Sequence, residues 1–333
     1  MDFSDVTEQF KQDLARVEKA IKKNYESDVP LIPGISNYLM NGGGKRMRPL
    51  LVLIFSKLGG VDIDDKAIHH ACVVEYIHAA TLLHDDVVDE TTVRRGHETV
   101  NSKWGSDASI LVGDFLISRA ILLLAHDNNI RITRAIAEAA RILVEGGILE
   151  FTHARRLDVT EQHCLDVVYR KTASIISASC QMGMLLANAS PEQENAAIAF
   201  GNFFGIAFQL MDDALDYEGD EELLGKPPGT DFKEGHVTLP LLHLYSKSNE
   251  ASRKKIERFV RNGNTTQQDF EWVLSRMREN RSPEYTQNLA RSYMVKAKEA
   301  LQSVAFPNPE YLDHAFITAD YVIERYSPAP PVN

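Results

Sequence analysis

Residues 64–90 read DDKAIHHACVVEYIHAATLLHDDVVDE. Apolar side chains recur at three- and four-residue intervals, with no Gly or Pro, which predicts a helix over 64–88. That helix ends on Asp85, Asp86 and Asp89. The same ending returns in FQLMDDALDY at 208–217, with Asp212, Asp213 and Asp216. Both copies are D-D-x-x-D after an apolar helical run. Positions i and i+4 lie one turn apart on one face, so Asp85 and Asp89 project together, as do Asp212 and Asp216. Each pair has a third carboxylate beside it.

Working outward, the same periodicity predicts helices over 4–25, 46–58, 106–126, 130–156, 161–188, 191–217, 237–247, 250–262, 266–279, 283–304 and 308–326. Ser282 and Asn308, each followed by proline, read as N-caps. No sustained period-2 run and no Asn-Gly hairpin occurs, so strands are not expected. Breakers cluster at 41–44, 59–60 and 219–235. No Pro/Ser-rich linker divides the 333 residues. The expectation is all-α: one large helical domain over 1–326 and a disordered tail over 327–333.

Lys and Arg number 36 against 47 carboxylates, a net charge of −11, which argues against a protein that coats nucleic acid. Cys72, Cys164 and Cys180 are odd in number and form no C-x-x-C, so a reducing, cytoplasmic setting is expected. The start MDFSDVTEQFKQDL reads as neither a signal nor a transit peptide. The longest apolar-looking stretch, 196–211, is shorter than a ~20-residue span and carries Asn202 and Gln209, so no transmembrane segment is read.

Three carboxylates packed this closely repel, and partial burial raises their own pKa values. A cation offsets that repulsion. Oxygen ligands without His or Cys select a hard ion, Mg²⁺ above all, held by one or two carboxylates together with substrate phosphates. One D-D-x-x-D alone is as readily a solvated acidic face. Two copies, each after four or more mostly apolar residues, point to carboxylate walls about a bound diphosphate. Cations to match follow a glycine-rich loop, NGGGKRMRP at 41–49, with Lys45, Arg46 and Arg48 at a helix start. The loop lacks Walker A order, and no EF-hand loop is present. Arg94, Arg95, Lys171, Thr172 and Lys226 are further candidates. His78 lies two turns before Asp85 on the same face, whereas His84 points elsewhere.

Taken together, GGGKRMRP, EYIHAATLLHDDVVDETTVRRG, YRKTAS, FQLMDDALDY and GKPPGTDFKEGHVTLP resemble, in order, the trans-type isoprenyl diphosphate synthases. The resemblance runs from about residue 30 to 250, and more loosely to 326. It implies an all-α bundle around a deep central cavity, usually a homodimer. The implied reaction joins an allylic diphosphate (farnesyl or geranyl) to isopentenyl diphosphate. By position, Mg²⁺ falls to Asp85, Asp86, Asp89, Asp212, Asp213 and Asp216. Isopentenyl diphosphate falls to Lys45, Arg48, His78 and Arg95. The allylic diphosphate falls to Arg94, Lys171, Thr172, Gln209 and Lys226. His236 stands where the family commonly has lysine, replacing a fixed cation with one whose ordinary pKa is ~6.5. Glu98 replaces a usual proline, read as a change at a local helix start. Glu150 replaces a common glutamine and is assigned no role.

The resemblance also frames product length. Val74, Ile77, Ala80 and Thr81 precede the first acidic cluster along one wall of its helix. Family members that stop early carry bulky aromatics four or five residues before the first Asp; here Thr81 and Ala80 are small. Residues 73–84 rise ~18 Å. An all-trans polyprenyl product of six to ten units is expected, octaprenyl at the centre. Alternatives are a geranylgeranyl diphosphate synthase, a terpene cyclase, a silent partner subunit of a heteromeric synthase, and a helical binding module.

Overall fold

The computed structural model describes residues 1–218, 228–262 and 266–324. Among the described residues the regular elements are helices but for one pair of two-residue strands, and the chain forms two compact units. The first comprises 1–140, 175–201 and 298–318; the second comprises the described residues of 141–174, 202–297 and 319–324.

In the first unit, helices α1 (Phe3–Gln9) and α2 (Lys11–Asn24) replace the single helix expected over 4–25. The break falls at Phe10, whose ring meets Tyr311 and His314 edge-on at 6.2 and 5.9 Å. An Asp2–Asp5 capping box starts α1. Helix α3 (Leu31–Asn41) is not among the helices expected from sequence. Pro33 lies in its first turn, where a missing N–H costs nothing. Helix α4 (Met47–Leu58) buries Leu50 through Phe55 and Leu58 completely, the mark of a helix enclosed on all sides. Helix α5 (Asp65–Val88) is the predicted acidic-ended helix, N-capped by Asp64. The cysteines are all buried and free; Cys72 and Cys164 have thiols pushed up to about 12 by burial.

Strands β1 (Val93–Arg94) and β2 (His97–Glu98) pair antiparallel about Arg95 and Gly96, both at positive φ. The sequence reading found no hairpin here; the Arg-Gly pair supplies the left-handed turn instead of Asn-Gly. Glu98 is therefore a strand residue, and α6 (Val100–Trp104) begins two residues later. Helix α7 (Ser106–Asp127) packs along α5. Among the described helices it alone is long and apolar enough to cross a membrane, by length and composition. Val112, Leu116, Ala120, Leu123 and Leu124 are nevertheless buried in the fold, as in a core helix. Helix α8 (Ile130–His153) follows.

The stretch expected as one helix over 161–188 is α9 (Glu161–Val168), a π-helical turn at Tyr169–Ala173, and α10 (Ser174–Leu186). Helix α11 (Pro191–Glu218) carries the second acidic cluster. Then come the short α12 (Thr230–Glu234), α13 (Leu239–Lys247), α14 (Glu250–Asn262), α15 (Gln267–Glu279), α16 (Ser282–Gln302) and α17 (Glu310–Glu324). Ser282 falls inside α16 rather than before it. Asn308 ties back to α4, its Nδ2 donating to the Lys57 carbonyl at 2.9 Å. Tyr217, Phe232, Leu241, Ile256, Phe259 and Phe270 form the core of the second unit. Residues 327–333 lie outside the described residues.

Candidate active site

The candidate residues divide between the units, and each half is built separately. In the first unit, Asp89 closes α5 as its C-cap and Glu90 turns left-handed. The chain returns through the hairpin, fastened by backbone and amide bonds. The Thr91 N–H donates to the Asp86 carbonyl at 3.0 Å. Asn101 Nδ2 donates to the carbonyls of Asp86 and Thr91 at 2.9 and 3.1 Å. This places Arg94 beside Asp86, Nε to Oδ1 at 2.7 Å. Asp86 is buried, which pushes its carboxyl above the usual range; Arg94 opposes that shift and Asp89 adds to it. Asp85 and Asp89 are half-buried. His84 is turned toward α7, its Nε2 3.2 Å from the Ile110 carbonyl, as its helical position predicts.

The glycine loop precedes α4. Gly43 and Gly44 have φ of 82° and 147°, and a Cβ on Gly44 would meet Arg95 Nη1 at 3.1 Å. Arg95 donates through that nitrogen to the Gly43 carbonyl. Lys45 is exposed, Arg48 half-buried. His78 is held well below its ordinary pKa, first by burial, then by Arg48, Arg95, Arg94 and Arg46. Its imidazole thus lies among arginines. The first unit thus gathers Arg48, His78, Arg94 and Arg95 beside the first acidic cluster. Arg46 departs from expectation: its guanidinium turns inward to Glu18 and Glu75.

In the second unit, α11 presents Gln209, Asp212, Asp213 and Asp216. Thr172 Oγ1 donates to Gln209 Oε1 at 2.7 Å, and Gln209 Nε2 donates to Asp213 Oδ1 at 2.9 Å. Asp213 is buried, and its carboxyl is pushed well up, first by burial, then by Asp231, Asp212 and Glu150. Asp216 is buried too, with Oδ2 accepting from the Asp231 N–H at 3.1 Å. Lys171 donates to Glu150, the residue given no role from sequence. The π-turn that carries Lys171 and Thr172 is received by two glycines. A Cβ on Gly146 would meet Lys171 N at 2.8 Å, and one on Gly205 would meet Ala173 Cα at 2.4 Å. Glu150 and Asp231 escaped the sequence reading because their partners are 21 and 15 residues away, beyond any helical spacing. His236 is largely covered; its backbone N–H donates to the Asp231 carbonyl at 2.8 Å, and its Nδ1 lies 3.9 Å from Glu234. Lys226 lies outside the described residues.

The donor set fits a hard divalent cation. Asp212, Asp213, Asp231 and Glu150 load the second unit with carboxylate oxygens, and burial first, then their mutual repulsion, raises Asp213. Bound cation would remove the repulsion.

The chain is similar to known proteins. The polyprenyl synthetase family profile matches residues 29–277. Octaprenyl diphosphate synthase of Escherichia coli (strain K12) is 38% identical over 302 residues, covering 91% of this chain and 93% of that protein. A polyprenyl synthase from Caulobacter crescentus CB15, solved with calcium and isoprenyl diphosphate, superposes with TM-score 0.93 at 35% identity, covering 98% of each chain. A decaprenyl diphosphate synthase from Rhodobacter capsulatus gives TM-score 0.92 at 35% identity, covering 98% of this chain and 100% of that one. With its motifs in order, its all-α fold and a profile match over about three quarters of its length, the chain belongs to the polyprenyl synthetase family.

Proposed function

We propose that this chain is a long-chain trans-prenyltransferase that adds isopentenyl diphosphate units successively to an allylic diphosphate, farnesyl or geranyl. The observation that carries the reading is the pair of acidic helix ends with buried members, Asp86 and Asp213, each accompanied by the cations or amides of its own motifs. In this reading Asp85, Asp86 and Asp89 of the first unit and Asp212, Asp213 and Asp216 of the second would hold Mg²⁺. When bound there, Mg²⁺ would supply positive charge to the departing diphosphate.

The chain's own residues do the rest. Lys171, Thr172 and Gln209, with Arg94, orient the allylic diphosphate. Lys45, Arg48, His78 and Arg95 hold isopentenyl diphosphate. The allylic C–O bond breaks, and the diphosphate leaves with the electron pair. The isopentenyl double bond attacks the allylic carbon, and the proton then lost passes to the released diphosphate. Apolar side chains such as Val74, Ile77 and Ala80 on α5 exclude water from the cation and give the product room to lengthen. We propose residues 1–326 as one catalytic domain acting as a cytoplasmic homodimer. The exposed apolar stripe of Ile110, Leu111, Ile121 and Leu122 on α7 supports the dimer. Residues eleven apart return to one helix face.

The test is release of pyrophosphate from farnesyl and isopentenyl diphosphates, with and without Mg²⁺. The expected result is release only when both substrates and the metal are present. A terpene cyclase would release it from the allylic substrate alone, and a silent subunit or binding module would release none.

A further inference from the structure

Arg46 lies in the middle of the cationic loop yet does not serve it as a surface cation. Its side chain is 12% exposed. All three guanidinium nitrogens are committed: Nε to Glu18 Oε1 at 2.5 Å, Nη1 to Glu75 Oε1 at 2.5 Å, and Nη2 to the Met40 carbonyl at 2.8 Å. Glu18 belongs to α2, Glu75 to α5, and Met40 to the end of α3, so one side chain fastens three helices. Its backbone is equally constrained. Arg46 is the N-cap of α4 at φ 47° and ψ 40°, a left-handed conformation unusual for a side chain of this size. Such a conformation persists where surrounding bonds over-determine it.

The neighbours of Arg46 give the staple its direction. Lys45 precedes it, and Arg48 follows two residues later in the first turn of α4. Glu75 lies three residues before His78, on the same face of α5. The ion pair therefore locks the loop against the helix face that carries His78. Arg95, donating to the Gly43 carbonyl, holds the other end of the same loop. We infer that Arg46, clamped by Glu18 and Glu75, is a positioning residue that presents Lys45 and Arg48 to isopentenyl diphosphate. This rests on the substrate assignment proposed above for Lys45, Arg48 and His78. It also gives the N-terminal helix α2 a part in substrate recognition, through Glu18, although α2 carries none of the family motifs.

The test is steady-state kinetics with farnesyl and isopentenyl diphosphates on Glu18→Ala, Arg46→Lys and Arg46→Gly, with thermal melts in parallel. Glu18 is the first choice because it is the more exposed acid, and its loss leaves the Arg46–Glu75 pair intact. Removing buried Glu75 would strand a charge and endanger folding. The expected result is a rise of about tenfold or more in KM for isopentenyl diphosphate in all three variants, with KM for the allylic substrate unchanged. Arg46→Lys keeps the charge but cannot reach three acceptors, so it should not rescue. Arg46→Gly relieves the backbone but removes the staple, so it should fail too. Equal rises for both substrates, or unchanged constants, would overturn the inference. Lys45→Ala and Arg48→Ala serve as controls. If they raise KM for isopentenyl diphosphate while the Glu18 and Arg46 variants do not, the staple alone is wrong. If they do not raise it, the substrate assignment fails and the inference with it.

Discussion

His236 is the residue at which this chain departs most pointedly from its family's pattern. A lysine would carry a fixed charge; an imidazole of ordinary pKa ~6.5 loses its charge above neutrality. His236→Lys is expected to lower KM for the allylic diphosphate about threefold or more at pH 8.5; an unchanged KM at pH 8.5 would remove His236 from substrate contact. Ala80 belongs to the same scale. It is fully buried on α5, five residues before Asp85. Ala80→Tyr or Ala80→Phe should shorten the product, and chromatography showing the wild-type length would exclude Ala80 from the tunnel wall. At this scale the sequence was informative wherever residues of one motif lie together, as Asp85, Asp86 and Asp89 do at the end of α5. It was silent where a partner is remote. Glu150 could not be paired with Lys171 from spacing, and Arg46 could not be told from Lys45 and Arg48, because only folding decides which cation turns inward.

At the scale of elements, periodicity found most of the helices but not their interruptions. The break at Phe10 is made by packing against Tyr311 and His314, near the far end of the chain. The hairpin at 93–98 is too short to show alternation. The π-turn at 169–173 carries no signature of its own: YRKTAS has ordinary helix composition, and the widened turn exists because Gly146 and Gly205 let neighbouring backbone approach. That account has a consequence for those two glycines. Gly205→Ala would place a Cβ 2.4 Å from the Cα of Ala173, a backbone atom that cannot rotate away. We expect a loss of about 1–3 kcal/mol, read as a lowered Tm, together with reduced affinity for the allylic substrate because Lys171 and Thr172 shift. A variant with native Tm and native KM would show that the π-turn does not depend on this approach.

At the scale of the whole molecule, each compact unit holds one acidic cluster and its own cations. The all-α class was legible from composition and period; the division into two units was not, because no linker marks it and each unit is assembled from separated stretches of chain. Assembly is likewise a whole-molecule property. Leu111 and Ile121 are 67% and 60% exposed on α7, more than a monomer needs to leave in water. Leu111→Asp combined with Ile121→Asp should halve the mass measured by light scattering; an unchanged dimer would place the interface elsewhere, and a monomeric wild type would dispose of the dimer. The central claim, that both acidic clusters bind the metal that the allylic diphosphate needs, is tested most directly by a crystal structure with Mn²⁺ and an unreactive thio-analogue of farnesyl diphosphate. The account predicts anomalous manganese peaks on carboxylates of both clusters, Asp85 or Asp89 and Asp212 or Asp216. Manganese confined to one cluster, or an analogue bound away from both, would contradict it.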